Sequence, residues 1–347
     1  MSDNQRTELS SVGEFGLIES LTETFGMENL STKRGIGDDA AIIEYDAGKQ
    51  TVVSTDMLLE GVHFDMVYTP LKHLGYKSVV VNLSDIYAMN ALPKQVTISI
   101  AVSNRYSLEA LKELYSGIYL ACETYGVDLI GGDTTSSLTG LVISVTAIGE
   151  VDQGKAVHRT GAQVGDKIFV SGDLGGAYMG LNILEREKEV FIAAPGAQPE
   201  LDAHQYIVGR LLKPEARKDI VEMLADLKVK PSSMIDISDG LSSELMHISK
   251  LSEVGIEINE AQVPISEEAY NQALEFQIDP INCALNGGED YELLFTVSEA
   301  DAKKLRNNPL VTEIGTVQES DFGAKINTKG GKTHDLVAQG WKHLEEE

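Results

Sequence analysis

VVVNLSDIYAMN, residues 79–90, is the stretch around which the rest of the chain is organised. Tyr76, Val79, Val80, Leu83, Ile86 and Tyr87 recur at helical spacing, which predicts a helix that buries one face. The opposite face carries Ser78, Asn82, Asp85 and Met89, a mixture that is neither plainly solvated nor plainly core. A carboxylate among apolar neighbours is costly unless something positive compensates it. Asp85 is therefore either an ordinary solvated helix acid or one member of a group assembled from elsewhere in the chain.

Outward from this helix, the sequence alternates between strand and helix patterns. Residues 1–30 hold a short amphipathic segment around Phe15, Leu17, Ile18, Leu21 and Phe25. Ala41-Ile42-Ile43 and the run from Thr51 to Asp56 read as short buried strands with acids at their ends. A strand over 96–102, a helix over 108–125 closed by Gly126, and strands at 127–130 and 141–148 complete a first unit ending near residue 150. A second unit, 151–347, opens with a loop through Arg159-Thr160-Gly161-Ala162 and a strand at 167–170. A glycine-rich turn at 171–176 leads into a helix over 177–187. The segment 189–202, with Pro195 and Pro199, reads as a loop. Helices follow at 215–227 and after Asp239, with strands at 255–258 and 291–297. The 347 residues thus predict a two-domain α/β (α+β) chain with a mixed sheet and helices in the first domain. Asn82-Leu83-Ser84-Asp85 and Asp236-Ile237-Ser238-Asp239 are followed at like distances by Gly131-Gly132-Asp133 and Gly287-Gly288-Glu289, so an internal repeat is one reading and chance the other.

Composition narrows the function. With 42% hydrophobic and 24% charged residues the chain is an ordinary globular protein. The net charge of −26, with no Lys/Arg-rich stripe, argues against a nucleic-acid backbone as partner. Two cysteines, Cys122 and Cys283, form neither a disulfide framework nor a CxxC motif. No apolar run is long enough for a membrane span and the N-terminal residues lack a signal pattern, so the expected location is the cytoplasm.

The common nucleotide motifs fail. Gly331-Lys332-Thr333 lacks the glycine a P-loop needs five positions before Gly331, where Ile326 stands. Gly35-x-Gly37-x-x-Ala40 fits a loose dinucleotide fingerprint, but Asp38 and Asp39 occupy the place where a pyrophosphate would meet backbone amides. What recurs instead is acids beside Gly, Ser, Thr and Ile: Asp38/Asp39, Asp56, Asp85, Asp133, Asp236 and Asp239. Each alone is read most simply as a cap or turn residue. Taken together, converging carboxylates repel one another unless cations bridge them, and hard oxygen ligands suit Mg²⁺ or Mn²⁺ rather than zinc. Ser54-Thr55 and Thr134-Thr135 add hydroxyls, and Arg159 supplies a guanidinium that can grip a phosphate or form a plain surface ion pair. This set points to metal-assisted phosphoryl transfer.

The ordered blocks GIGDDAA, STDMLLEGVHF, VNLSDIYAMNALP, LIGGDTT, RTGAQVGD, IDISDGLSSEL and NGGEDYELLFTV resemble the thiamine-monophosphate kinase family, from about Gly13 to Trp341. That family is part of a superfamily with aminoimidazole-ribonucleotide synthetase and selenophosphate synthetase. The resemblance implies an aminoimidazole-ribonucleotide synthetase-like fold, a homodimer paired through the N-terminal domains, ATP bound near that interface, and phosphorylation of thiamine monophosphate to thiamine diphosphate. It implies a magnesium-binding set of Asp39, Ser54, Thr55, Asp56, Asp85, Asp133, Asp236 and Asp239, of which Asp56, Asp85, Asp133 and Asp236 are the expected catalytic core. Tyr115, Gly132, Asp133, Arg159 and Ser238 are the implied ATP contacts, and His63, Glu289 and Trp341 the implied thiamine-phosphate pocket. A sister synthetase activity would use the same ATP machinery, although Cys122 and Cys283 lie far from the N-terminal position of a selenophosphate-type reactive residue. A non-catalytic ATP- or cation-binding regulator would have no need of a second-substrate pocket, and an acidic structural protein leaves the glycine-rich turns unexplained.

Overall fold

The computed structural model describes residues 7–36, 40–194 and 198–339, without the side chains of residues 10 and 13–15. Asp39 and Trp341 lie outside the described residues. The chain divides into two compact units. One holds the described residues up to Ile86 together with Ala91–Gly154; the other holds Tyr87–Asn90 and the described residues from Lys155 on.

The first unit runs α1 (Leu9–Thr22), β1 (Thr32–Arg34), β2 (Ile42–Ile43), β3 (Lys49–Leu59), α2 (Leu71–Ala88), β4 (Leu92–Val102), α3 (Leu108–Tyr125), β5 (Asp128–Ser136) and β6 (Val142–Asp152). Strands β1 and β2 pair with each other, and the other four form a sheet in the order β3-β6-β4-β5. Only β4 and β5 are parallel.

Helix α2 begins already at Leu71 and ends at Ala88, two residues before the end of the expected 79–90 helix. Its apolar stripe is core: Tyr76, Val79, Val80, Leu83, Ile86 and Tyr87 are all buried. Helices α2 and α3 approach backbone to backbone through a glycine on each. A Cβ on Gly75 would stand 1.9 Å from the Leu114 carbonyl oxygen, and one on Gly117 would stand 1.8 Å from that of Lys72. No other residue fits this crossing, so the two glycines fix how α2 lies. Ile86 then reaches β6 at Gly149, on the buried face of the sheet that includes Ile143, Val145 and Ala147.

The opposite face of this sheet is open. Val53 and Met57 of β3 are more than half exposed, so the expectation of a short buried strand at 51–56 is not met. The reason is topological: β3 is an edge strand of eleven residues, and alternation turns every second side chain to the face without helices. The strand expected at 127–130 is longer, because β5 continues through the whole glycine-rich LIGGDTT segment. Gly132 is needed there for closeness to β4, since a Cβ would lie 1.8 Å from the Ile98 carbonyl oxygen.

The second unit runs β7 (Lys167–Ser171), α4 (Gly176–Ala193), α5 (Gln205–Leu212), α6 (Lys218–Asp226), β8 (Ser233–Ile237), α7 (Leu241–Ser252), β9 (Gly255–Asn259), α8 (Glu267–Glu275), α9 (Pro280–Asn286), β10 (Glu292–Val297), α10 (Glu299–Leu305), β11 (Val311–Gln318), β12 (Ala324–Asn327) and β13 (Thr333–Asp335). Its seven-stranded sheet has the order β13-β12-β9-β11-β7-β10-β8. Ile168, Val170, Ile235, Ile237, Leu294 and Ile314 form the centre of its core. Helix α4 extends to Ala193 and takes in the start of the segment expected to be a loop. The suggested repeat has no structural counterpart: residues 82–85 are helical, whereas 236–239 run from a strand into a turn.

Candidate active site

In the first unit, Ser54 and Asp56 stand two residues apart on β3 and therefore face the same way, toward α2. Ser54 Oγ donates to Asp85 Oδ2 at 2.5 Å. Asn82, one turn before Asp85 and fully buried, accepts from the Asp56 backbone N–H at 2.9 Å and donates to the Ser78 carbonyl at 3.1 Å. The polar stripe of α2 is thus a clamp on β3: Asp85 holds the side chain of Ser54, and Asn82 holds the main chain of Asp56. Asp56 keeps contact with solvent, yet desolvation, followed by the Asp85 charge, raises its carboxyl to about 6. Two carboxylates held this close offer hard oxygen ligands to a cation.

Thr55 does not join this pair through its side chain. Its hydroxyl donates to the Val145 carbonyl at 3.0 Å and receives a bond from Thr146 Oγ1, on the other face of the sheet. Nor is Asp133 beside Asp56 within this unit. Asp56 is registered with Val145, Val145 with Ile98, and Ile98 with Gly132, so Asp56 and Asp133 lie near the same rung on opposite edges. Three strand spacings separate them by about 14 Å.

Around the Asp133 edge is a cavity of about 690 Å³, lined by Ile18, Thr22 and Ile36 on one side and Tyr115, Gly132 and Asp133 on the other. This volume lies in the range of small-molecule sites, about 300–1,000 Å³. Tyr115, Gly132 and Asp133, three of the implied ATP contacts, are therefore neighbours around one hollow. Burial drives the Tyr115 phenol far above its ordinary range, so it is neutral. His63 follows β3 in a tight turn, where its Nδ1 accepts from the Leu59 backbone N–H at 3.1 Å. That bond leaves the ring proton on Nε2, which makes Nε2–H a donor.

In the second unit, β8 ends in the acids. Asp236 is its buried penultimate residue, while Ser238 and Asp239 form the turn into α7. Glu244, in the first turn of α7 and nearly fully buried, accepts from the Asp239 backbone N–H at 3.1 Å. Burial pushes its carboxyl up to about 8. The Asp239 N–H opposes this, Asp236 and Asp239 add to it, and Arg159 opposes it. Arg159, Asp236, Asp239 and Glu244 are thus within electrostatic reach of one another. Glu244 was not singled out from the sequence; the available signal was a carboxylate directly before the apolar Leu245 in a helix start. Glu289 lies beside Ser238, because β10 pairs with β8 and the Glu289 N–H donates to the Ser238 carbonyl at 2.7 Å. Among the described residues, no group of three or more His, Cys, Asp or Glu side chains is close enough to hold a metal alone.

Comparison with known proteins accounts for this two-unit arrangement. Models of AIR synthase related proteins match the chain twice, the N-terminal domain at residues 37–151 and the C-terminal domain at 163–326. The thiamine-monophosphate kinase of Aquifex aeolicus is 37% identical over 338 residues, 97% of this chain and 99% of the relative. That of Bacillus subtilis is 34% identical over 336 residues, 95% of this chain and 99% of the relative. A solved structure of AaThiL complexed with AMPPCP and TMP superimposes with a TM-score of 0.74 at 36% identity, covering 99% of this chain and 100% of that one. The chain belongs to the AIR synthase related proteins and, within them, to the thiamine-monophosphate kinase family. No described helix is long and apolar enough to cross a membrane.

Proposed function

We propose that the protein transfers the γ-phosphoryl group of ATP to thiamine monophosphate, giving ADP and thiamine diphosphate. The observation that carries this reading is the near full-length kinship, at 36% identity, to the protein solved with AMPPCP and TMP. The local geometry agrees with it. Tyr115, Gly132 and Asp133 surround a cavity of nucleotide size, and Arg159 and Ser238 lie in the second unit near the acids that would meet phosphates.

The residues fit Mg²⁺. The Asp56 carboxyl, raised by burial and then by the charge of Asp85, stands with Ser54 and Asp85 in a donor set that is all oxygen. In the first unit Asp56, Asp85 and Ser54 would give oxygen ligands to Mg²⁺ beside phosphate oxygens; Asp39 and Asp133, and in the second unit Asp236 and Asp239, are the further proposed ligands, while the Thr55 hydroxyl is turned to the other face of the sheet. Bound there, Mg²⁺ supplies charge neutralisation between two polyanions.

The chain's own residues do the rest by positioning. Arg159 grips the nucleotide phosphates. His63 donates from Nε2–H, and Glu289 with Trp341 receives the cationic thiamine. The acceptor is a phosphate monoester, already anionic near neutral pH, so no strong base is required. One of its oxygens bonds to the γ-phosphorus as the bond to the β-phosphate bridging oxygen breaks, and ADP leaves with that electron pair. The transfer is direct and in line. ³¹P NMR of the reaction with a chiral γ-phosphate should show thiamine diphosphate with inverted configuration; retention, or a phosphoenzyme trapped with ATP alone, would contradict direct transfer.

The open face of the β3-β6-β4-β5 sheet, with Val53 and Met57 exposed on it, supports a homodimer in which a second copy covers that face. Two buried free cysteines support a reducing, cytoplasmic setting.

A further inference from the structure

The loop at residues 287–291 has an unusual backbone. Glu289 and Tyr291 both adopt left-handed φ values, 61° and 52°, and Gly288 has φ 69°. For residues with a Cβ this conformation is strained, and it persists only where the surroundings enforce it.

The enforcing contacts come from two sides. On one side the loop is bonded to the turn after β8: Glu289 N–H to the Ser238 carbonyl at 2.7 Å, and Tyr291 N–H to the Ile237 carbonyl at 2.9 Å. On the other side is Asp290, which is completely buried. Its carboxylate accepts from the Gly175 N–H at 2.8 Å and the Ala177 N–H at 3.4 Å, at the N-terminus of α4. Arg210 lies 3.7 Å from the same carboxylate, donates to the Asp290 carbonyl at 3.1 Å and the Asp173 carbonyl at 3.0 Å, and pairs with Glu292 at 3.0 Å. Glu292 is held further by Ser171 and Arg217. The acid between the two strained residues is thus tied to a buried ionic lattice and to a helix end, far more than a loop needs merely to turn.

We propose that Asp290 is a positioning residue for the acceptor substrate: anchored on α4 and Arg210, it locks the left-handed backbone that sets Glu289 beside Ser238. This rests on the reading of Glu289 as a thiamine-phosphate contact. Tyr291, whose hydroxyl donates to Glu289 Oε1 at 3.3 Å, completes the presentation.

The test compares Asp290→Asn, Glu289→Gln and the double variant in the full-length enzyme. Asp290→Asn places an amide N–H or a neutral oxygen where two backbone N–H groups and a guanidinium require a carboxylate. It should raise KM for thiamine monophosphate at least tenfold while kcat and KM for ATP change less than about threefold. The double variant should match Glu289→Gln, because Asp290 acts through Glu289. Hydrogen exchange at the Glu289 and Tyr291 amides should accelerate in Asp290→Asn beyond the change at β8. If Asp290→Asn does not fold, Arg210→Lys, which keeps the charge but loses the guanidinium fork, should show the same KM-selective loss in weaker form. An unchanged KM in the variant that folds, additive losses in the double variant, or unchanged exchange would overturn the proposal. Glu289→Gln with normal KM but Asp290→Asn with faster exchange would instead remove the substrate contact, and the acceptor role with it, while leaving Asp290 as an anchor of the loop.

Discussion

Asn82 offers the sharpest test of how the first unit holds its acids. It is fully buried on α2 and bonds the Asp56 N–H of β3. In Asn82→Ala that part-buried donor loses its acceptor, and leaving such a group unpaired costs about 1–3 kcal/mol. The Ser78 carbonyl loses little, since it still receives the helical N–H four residues on. With the void left by the carboxamide, the total comes to about 3 kcal/mol. For a unit of this size each kcal/mol lowers Tm by about 2–4 °C, so a fall of about 6–12 °C is expected by calorimetry. Asp56 would also be less well fixed, which should weaken the apparent Mg²⁺ affinity in a steady-state titration by about 10–100-fold, as for other residues that orient metal ligands. Asn82→Asp keeps an acceptor for the Asp56 N–H but adds a third carboxylate, so it should regain part of the Tm only when Mg²⁺ is present. A Tm within about 1 °C of the parent, together with an unaltered Mg²⁺ dependence, would refute the clamp.

Three further outcomes follow from the same geometry. Asp85→Asn should lower kcat by about 10³-fold, the loss expected when several kcal/mol of charge stabilisation are removed, while Tm holds or rises because repulsion with Asp56 is relieved; full activity in a coupled assay would return Asp85 to an ordinary helix acid. Asp56 carries a carboxyl raised from 3.8 to about 6, so its stabilising proton is fully present below pH 3.8 and lost as pH rises through about 6. The metal-free protein should therefore lose stability across that window, and the Tm gained on adding Mg²⁺ should be small at pH 5 and larger at pH 7.5; a gain independent of pH would contradict this. Arg159→Ala should raise KM for ATP more than KM for thiamine monophosphate, and a selective loss of the latter would assign Arg159 to the other substrate.

Much of this site was legible in the sequence because helix and strand periods are. The spacing of Val80, Leu83 and Tyr87 placed Asp85 on the other face of α2, and acids beside Gly, Ser and Thr marked Asp56 and Asp236 as unusual. Strand order is not written in local pattern, and so the separation of Asp133 from Asp56 across four strands could not be read. Thr55 enters the implied magnesium set with the block STDMLLEGVHF, and the period of two turns its hydroxyl to the face opposite Ser54 and Asp56. The Gly75–Gly117 crossing depends on two distant residues meeting, and neither glycine stands out alone. Asn82 was placed on the polar face without a role, and Glu244 was missed, for a related reason: their partners are main-chain N–H groups, which no side-chain motif announces.

The central claim is the identity of the acceptor. ADP release should be measured with ATP and Mg²⁺ in the presence of thiamine monophosphate, of unphosphorylated thiamine, and of no acceptor. Rapid release with thiamine monophosphate, and only background release in the other two, is the expected result. Turnover with thiamine but not with its monophosphate would contradict the account.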